Sequence, residues 1–156
     1  MGSAGYRLQM LSKKMTDFKI ISGTWQELQS DAMTIREQVF IQEQQISPED
    51  EWDYEDAISL HFIVLDHDQP IATARLLQNN SVGRVAVLKT YRGYGVGKLL
   101  MLEIIRQAKL QGREFLKLSS QVHAIAFYAG LGFVVEGAEY LDCGIAHIDM
   151  RLCSNG

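Results

Sequence analysis

The stretch from Val82 to Leu110 constrains this chain most, because it joins a short apolar strand, a glycine-rich loop and a long amphipathic helix. The loop reads Tyr91-Arg92-Gly93-Tyr94-Gly95-Val96-Gly97-Lys98. The start of a helix presents unpaired backbone N–H groups and a partial positive charge, so it binds anions and above all phosphates. Each glycine in a helical turn costs roughly 1 kcal/mol relative to alanine, so three of them favour close approach of a ligand over an ordinary glycine-rich connection.

Acidic and basic residues are concentrated in different segments of the chain. Residues 69–102 contain no Asp or Glu, although a helix start normally favours an acidic residue. That region carries five cations, namely Arg75, Arg84, Lys89, Arg92 and Lys98. Residues 37–74 show the reverse pattern, with ten acidic residues and no Lys or Arg. The basic region therefore suits an anionic ligand, and the acidic region is either a solvated loop or a wall that attracts a cationic acceptor.

Composition narrows the classes of protein. A chain of 156 residues with 47% hydrophobic content predicts one globular domain, which we place at residues 15–156 after a flexible leader, native or added, at residues 1–14. A net charge of −4 argues against a nucleic-acid partner. No apolar run approaches the roughly 20 residues of a membrane span, and the two cysteines lack metal or disulfide spacing. We expect a cytoplasmic protein without a metal, a membrane partner or a nucleic-acid partner.

Hydrophobic periodicity predicts a mixed α/β fold of the α+β type. The predicted strands cover residues 18–22, 61–65, 71–77, 82–88, 115–119, 134–140 and 145–152, and the predicted helices cover residues 24–40, 95–111 and 124–129. The first helix begins at a capping box, Thr24 to Glu27, and has an expected interruption near Ser30-Asp31. The helix after the glycine loop makes the fourth and fifth strands parallel, so a crevice should open at their carboxyl ends.

The glycine loop does not match two common nucleotide-binding signatures. A Walker A loop needs glycine where Arg92 stands and Ser or Thr where Leu99 stands, and the dinucleotide fingerprint needs GxGxxG where this loop has GxGxG. The order strand, Arg92-x-x-Gly95-x-Gly97, helix, strand and then Ala124-Ile125-x-Phe127-Tyr128-x-x-Leu131-Gly132-Phe133 instead resembles the GNAT superfamily of N-acetyltransferases. Segments beginning at Arg36 and Gly144, with the region of Asp53, resemble its YjcF/ElaA-like bacterial branch.

The resemblance implies a sheet of six to seven strands, about four flanking helices and a V-shaped opening between the two parallel central strands. It also implies coenzyme A as the carrier of the acyl group, supplied as acetyl-CoA. The implied coenzyme A contacts are Val85, Ala86, Val87, Arg92, Gly93, Tyr94, Gly95, Val96, Gly97, Lys98, Gln121, Phe127 and Tyr128. In such proteins the loop backbone holds the pyrophosphate and the strand at residues 85–87 pairs with the pantetheine. The Val87 N–H would polarise the thioester carbonyl. Gln121 stands where the family usually has Asn.

The resemblance also places Tyr128 where many GNAT enzymes have the acid that protonates the departing thiolate. A thiol and a phenol differ by about 1.5 pKa units, so this proton transfer costs only about 2 kcal/mol. The amine acceptor must lose a proton before it attacks, because an alkylamine is protonated at neutral pH. Candidate bases are Glu43, His61, Glu139 and His147, with Glu43 preferred. We expect Glu43, Asp53, His61 and Glu139 to contact the acceptor.

These features predict an N-acetyltransferase that moves the acetyl group of acetyl-CoA to a primary amine of a small, cationic acceptor. Direct attack in a ternary complex is expected, because no cysteine lies in the motif region as a covalent carrier. The alternative is a catalytically weak acyl-CoA-binding module that engages a protein partner through its acidic face. Dimers are common in the family that the chain resembles, so the resemblance also allows a homodimer.

Overall fold

A seven-stranded mixed sheet forms the centre of the computed structural model, which describes residues 17–154. The strands are β1 (Phe18–Gly23), β2 (Leu60–Asp66), β3 (Gln69–Leu76), β4 (Ser81–Val87), β5 (Phe115–Gln121), β6 (Val134–Asp142) and β7 (Ile145–Cys153). Their order across the sheet is β1-β2-β3-β4-β5-β7-β6, and only β4 and β5 pair in parallel. This confirms the predicted fold class. The predicted leader at residues 1–14 lies outside the described residues.

Helices cover both faces of the sheet. They are α1 (Trp25–Arg36), α2 (Pro48–Glu51), α3 (Glu55–Ile58), α4 (Val96–Leu110) and α5 (Ile125–Gly130). α4 packs on the face that carries Phe62 and Val64, and α1 packs on the face that carries Ile63 and Ala86. The alternation of β2 side chains between the two faces explains why the consecutive residues Phe62, Ile63 and Val64 are all buried. Within residues 17–154, no helix combines the length and apolarity of a bilayer span.

The predicted interruption of the first helix near Ser30-Asp31 is wrong. α1 runs unbroken to Arg36, because Leu28, Ala32 and Ile35 are buried along one face and hold the helix against the sheet. The geometry changes later, at a π-helical segment, Glu37–Glu43, that continues α1 directly. Wide turns of this kind are common at functional sites. Here the wide turn ends at the wall of the cleft described below.

The capping box at the start of α1 is confirmed. The Thr24 hydroxyl accepts a hydrogen bond from the Glu27 N–H at 3.3 Å, and the Glu27 carboxylate accepts one from the Thr24 N–H at 2.9 Å. Thr24→Ala should lower the free energy of unfolding by about 1 kcal/mol, measured by urea denaturation. Thr34→Ala is the matched control, because its hydroxyl bonds only the Ser30 carbonyl on an exposed helix face. Equal losses in both variants would contradict a capping role.

The parallel strands β4 and β5 separate soon after they begin. They pair only at Ser81 with Lys117 and at Val82 with Leu118, so β4 has no strand partner on this side from Gly83 onward. A β-bulge on its other side adds to the divergence, since Arg84 has a positive φ of 51° where the β3 register shifts. The predicted V-shaped opening between the two central strands is therefore present.

Candidate active site

A cleft of about 920 Å³ occupies the opening between β4 and β5. Its walls come from the π-helical segment, β4, the glycine loop, β5, α5 and the hairpin between β6 and β7. The predicted site residues that line it are Glu43, Val85, Ala86, Val87, Arg92, Gly93, Gly95, Val96, Gly97, Lys98, Gln121, Phe127, Tyr128 and His147. Tyr94, Asp53, His61 and Glu139 do not line it. Most of the predicted coenzyme A contacts therefore lie around one cleft, whereas three of the four predicted acceptor contacts lie outside it.

The glycine loop presents a row of free backbone N–H groups to the cleft. Within residues 17–154, no hydrogen bond uses the N–H groups of residues 93–98, and no side chain caps α4. Gly93 and Gly95 have φ values of 86° and 81°, a left-handed conformation that glycine adopts without steric cost. A Cβ on Gly97 would meet the Phe127 ring at 3.4 Å, so the cleft wall is close to the backbone there. This geometry is that of an anion-binding helix N-terminus.

Arg92 does not point its guanidinium freely at this row of N–H groups. Its two terminal nitrogens donate to the Glu43 carboxylate at 2.6 and 2.8 Å, and its Nε donates to the Val87 carbonyl at 2.9 Å. The hydrogen bonds from Arg92 are the largest cause that lowers the pKa of Glu43. An ionised carboxylate with a lowered pKa is a weak base, so the pair is better suited to closing the end of β4 than to taking a proton.

Tyr128 places an unpartnered hydroxyl in the cleft. Its ring is 9% exposed and packs edge-on against Phe127 and Phe133, with ring centroids 5.0 and 5.9 Å away. The hydroxyl makes no hydrogen bond to any residue in the described range, and burial raises the pKa of Tyr128 to about 12. The group is therefore a neutral proton donor at every pH an enzyme normally meets. A hydroxyl in the wall of the cleft that has no protein partner is free to bond a ligand.

His147 offers a free ring nitrogen on the opposite side of the cleft from α2. Its Nδ1 lies 2.7 Å from the Ile145 carbonyl, which can only accept, so Nδ1 carries the proton and Nε2 carries the lone pair. The ring stacks on Tyr140, whose hydroxyl donates to Asp149 at 2.7 Å and also contacts the Ser119 hydroxyl. This orients the imidazole as a possible proton acceptor.

Three of the predicted residues are accounted for by structure outside the cleft. His61 is 1% exposed, lies 2.8 Å from the Asp56 carbonyl through Nε2 and packs against Trp25, and burial is the largest cause that lowers its pKa. It is a hydrogen-bonded core histidine. Glu139 lies in the exposed, bulged part of β6. Tyr94 is half-buried against the core that α4 covers.

Asp53 belongs to a network that joins the acidic and basic regions of the sequence. It contacts Arg75 at 2.6 and 2.9 Å and Arg84 at 3.2 Å. Hydrogen bonds from Arg75 are the largest cause that lowers the pKa of Asp53. The rest of the network consists of Arg36, Glu51 and Asp56, all buried. The acidic region is therefore partly neutralised from within, and Asp53 serves this network instead of facing an acceptor.

Several cleft residues were missed by the sequence reasoning. Gln44 accepts a hydrogen bond from the Gln121 side chain at 3.0 Å and so links the π-helical segment to the end of β5. Glu51 lies in the wall near β4, and Asp142 and Cys143 reach the cleft from the β6–β7 hairpin. Gln44 stands within the motif that follows Arg36, but nothing in its spacing indicates a partner 77 residues away.

Comparison with known proteins agrees with this geometry. The family model described as "Acetyltransferase (GNAT) domain" matches residues 26–154, so the chain belongs to the GNAT family of acetyltransferases. It is therefore an acyltransferase. Strands that splay around an anion-binding helix start are the architecture expected of that class.

Particular relatives agree with the predicted bacterial branch. The protein named uncharacterized N-acetyltransferase YjcF of Bacillus subtilis (strain 168) is 34% identical over 129 residues, which are 80% of this chain and 92% of that protein. The crystal structure of Escherichia coli ElaA superposes with a TM-score of 0.79 at 26% identity, over 86% of this chain and 99% of that one. An acyl-CoA N-acyltransferase from Pseudomonas aeruginosa has a TM-score of 0.79 at 28% identity, over 87% and 99%.

Proposed function

We propose that this protein transfers the acetyl group of acetyl-CoA directly to a primary amine of a small, cationic acceptor. The observation that carries the proposal is the row of free N–H groups at residues 93–98, which opens onto a cleft that acidic residues also line. The acyl-CoA N-acyltransferase from Pseudomonas aeruginosa, which shares the fold, supports a coenzyme A thioester as the donor.

The residues of the cleft fit coenzyme A. The loop N–H groups suit its diphosphate, and Gly97 leaves the space that a close backbone approach needs. The free edge of β4 at residues 83–87 suits an extended chain that adds to the sheet like a strand. The Val87 carbonyl is already bonded to Arg92 and Ala86 pairs with Thr73 of β3, so Val85 and the Val87 N–H are left for such pairing. Acetyl-CoA bound there would supply an activated thioester.

Tyr128 and His147 divide the proton transfers in this proposal. The acceptor enters as an ammonium, loses one proton to the Nε2 of His147 and attacks the thioester carbon with the freed lone pair. A new C–N bond forms, the C–S bond breaks, and the Tyr128 hydroxyl gives its proton to the sulfur. The second proton on the amine nitrogen leaves to solvent and Tyr128 regains one, so the sum is amide, thiol and one released proton.

The pH dependence of the reaction tests this assignment. Burial raises the pKa of Tyr128 to about 12, so this group stays protonated and should cause no loss of kcat between pH 8 and pH 10. The measurement is kcat across pH with a saturating amine. If kcat of the wild-type enzyme declines above pH 8 and this decline is absent in Tyr128→Phe, the result would contradict a pKa near 12 for Tyr128.

An acetyl-CoA consumption assay across polyamines, amino sugars, aminoglycosides and amino acids tests the function itself. Turnover of at least one amine, with one amide formed per thiol released, is the expected result. The alternative is a module that binds acyl-CoA without turnover and engages a partner through acidic residues. Binding of acetyl-CoA without turnover of any amine would favour that alternative. The pairing of Asp53 and Asp56 with arginines weakens it, since these two acids are not free for a partner.

A further inference from the structure

Glu51, the last residue of α2, is a buried carboxylate in the wall of the cleft. Its side chain is 2% exposed and lines the same space as Tyr128 and His147. Arg36 donates from Nε to Oε2 at 2.6 Å, and the Arg84 Nε lies 3.2 Å from the same oxygen. Within residues 17–154, no hydrogen bond uses Oε1. One oxygen of this carboxylate therefore keeps its capacity to accept a hydrogen bond from a ligand.

Glu51 shares its two arginines with Asp53 and Asp56. With Arg75 the network holds three arginines for three carboxylates, so burial and not a missing arginine is what disfavours the charge of Glu51. Arg36 also donates to Asp56 at 2.8 and 3.1 Å, and Arg84 also donates to Asp53 at 3.2 Å, so each guanidinium serves two carboxylates. Burial raises the pKa of Glu51, and the opposing effects of Arg84 and Arg36 do not offset it. A buried carboxylate in this state gains from a further cation and a further hydrogen-bond donor.

The surroundings of Glu51 favour a cation that comes from the cleft. Asp50 and Asp142 line the same space, one from α2 and one from the β6–β7 hairpin. Neither forms an ion pair with any Lys or Arg in the described part of the chain. Their charges add to the negative potential of Glu51 within the cleft, which raises the local concentration of a cationic ligand.

We infer that Glu51 binds a second cationic group of the acceptor through Oε1, so that the preferred acceptors are diamines or larger compounds with two cationic groups. Glu51 belongs to the α2 and β4 wall, whereas His147 and Tyr128 belong to β7 and α5 on the opposite side. A ligand that reaches both walls presents one amine for acetylation and one ammonium to Glu51. This inference rests on the proposed function and names its substrate class.

A substrate and residue double-mutant cycle tests this inference. Glu51→Gln keeps the shape of the side chain but removes its charge. It should raise KM for 1,4-diaminobutane about 10- to 100-fold, as expected for a lost charge-assisted hydrogen bond, with kcat within about twofold. It should leave kcat/KM for 1-aminobutane unchanged, because that amine has no second charge. Glu51→Asp should recover part of the KM, and Glu49→Gln, an exposed acid on the same helix outside the cleft, should change nothing.

The possible failures of this experiment are separable. If no amine is turned over by the wild-type enzyme, the proposed function fails and the inference falls with it. If amines are turned over but Glu51→Gln affects 1,4-diaminobutane and 1-aminobutane equally, only the inference is overturned. If Glu51→Gln fails to fold, the comparison of diamines with 1-aminobutane as substrates of the wild-type enzyme tests the inference instead. A kcat/KM at least tenfold higher for diamines of three to five carbons than for 1-aminobutane supports the inference, and equal values or no turnover of any diamine overturn it.

Discussion

Replacing Tyr128 by Phe should lower kcat about 100- to 1,000-fold while leaving the dissociation constant of coenzyme A within a few-fold. The expected loss is large because Tyr128 lines the cleft and its hydroxyl makes no hydrogen bond to the described residues, which leaves it for a ligand. The measurement is kcat with saturating amine and acetyl-CoA. The fold should survive, since the ring contacts to Phe127 and Phe133 do not involve the hydroxyl.

The size of the Tyr128 effect also follows from its pKa. At a pKa of about 12, the phenol lies about 3.5 units above a thiol in water, so full proton transfer would cost about 5 kcal/mol. The same burial raises the pKa of a thiol in the cleft, which narrows this gap. Tyr94→Phe is the matched control, because it removes a hydroxyl of the glycine loop that does not line the cleft. A Tyr128→Phe enzyme with wild-type kcat would show that water or another group protonates the sulfur.

Gly97→Asp should weaken coenzyme A binding at least about 100-fold. The new carboxylate would lie between Phe127 and Val87 in the wall of the cleft, where the nearest atoms are 3.4 and 3.9 Å from the added Cβ. A negative charge at this place repels a diphosphate and occupies its space, and like charges in contact cost several kcal/mol. An acid in the first turn of a helix stabilises it, so the variant should remain folded. Isothermal titration calorimetry measures the affinity.

Thr90→Asp is the matched control for Gly97→Asp. Thr90 is exposed on the turn just before the glycine loop and does not line the cleft, so the same charge there should change the affinity less than tenfold. Thermal unfolding of both variants checks that neither loses its fold. Equal weakening in the two variants would mean that net charge, not the loop, governs binding. Wild-type affinity in Gly97→Asp would place the diphosphate elsewhere.

The sequence predicted the wall of the cleft formed by β4, the glycine loop and α4 because the information there is local. The strand, glycine loop and helix are consecutive, and free N–H groups at a helix start follow from backbone geometry alone. The parallel pairing of β4 and β5 follows from the connecting helix in the same way. These local rules were enough to place Gly93, Gly95 and Gly97 at the anion-binding end of the cleft.

The acceptor side was predicted less well because it depends on contacts between distant segments. Counting charges along the chain separated an acidic region from a basic one, but the fold brings Arg75 and Arg84 from the basic region onto Asp53 and Glu51 of the acidic region. Glu43 looked free in sequence and is held by Arg92, 49 residues away. The strand register determines where Arg75 and Arg84 lie, and so which acidic residues they can reach. The spacing of residues in the sequence does not predict that register.

The crystal structure of the protein with coenzyme A is the measurement that tests the central claim most directly. The account predicts diphosphate oxygens within hydrogen-bonding distance of the N–H groups of residues 93–98, with the pantetheine extended along the free edge of β4 toward Tyr128. A coenzyme A molecule bound outside the cleft between β4 and β5, or one whose diphosphate contacts none of these N–H groups, would contradict it.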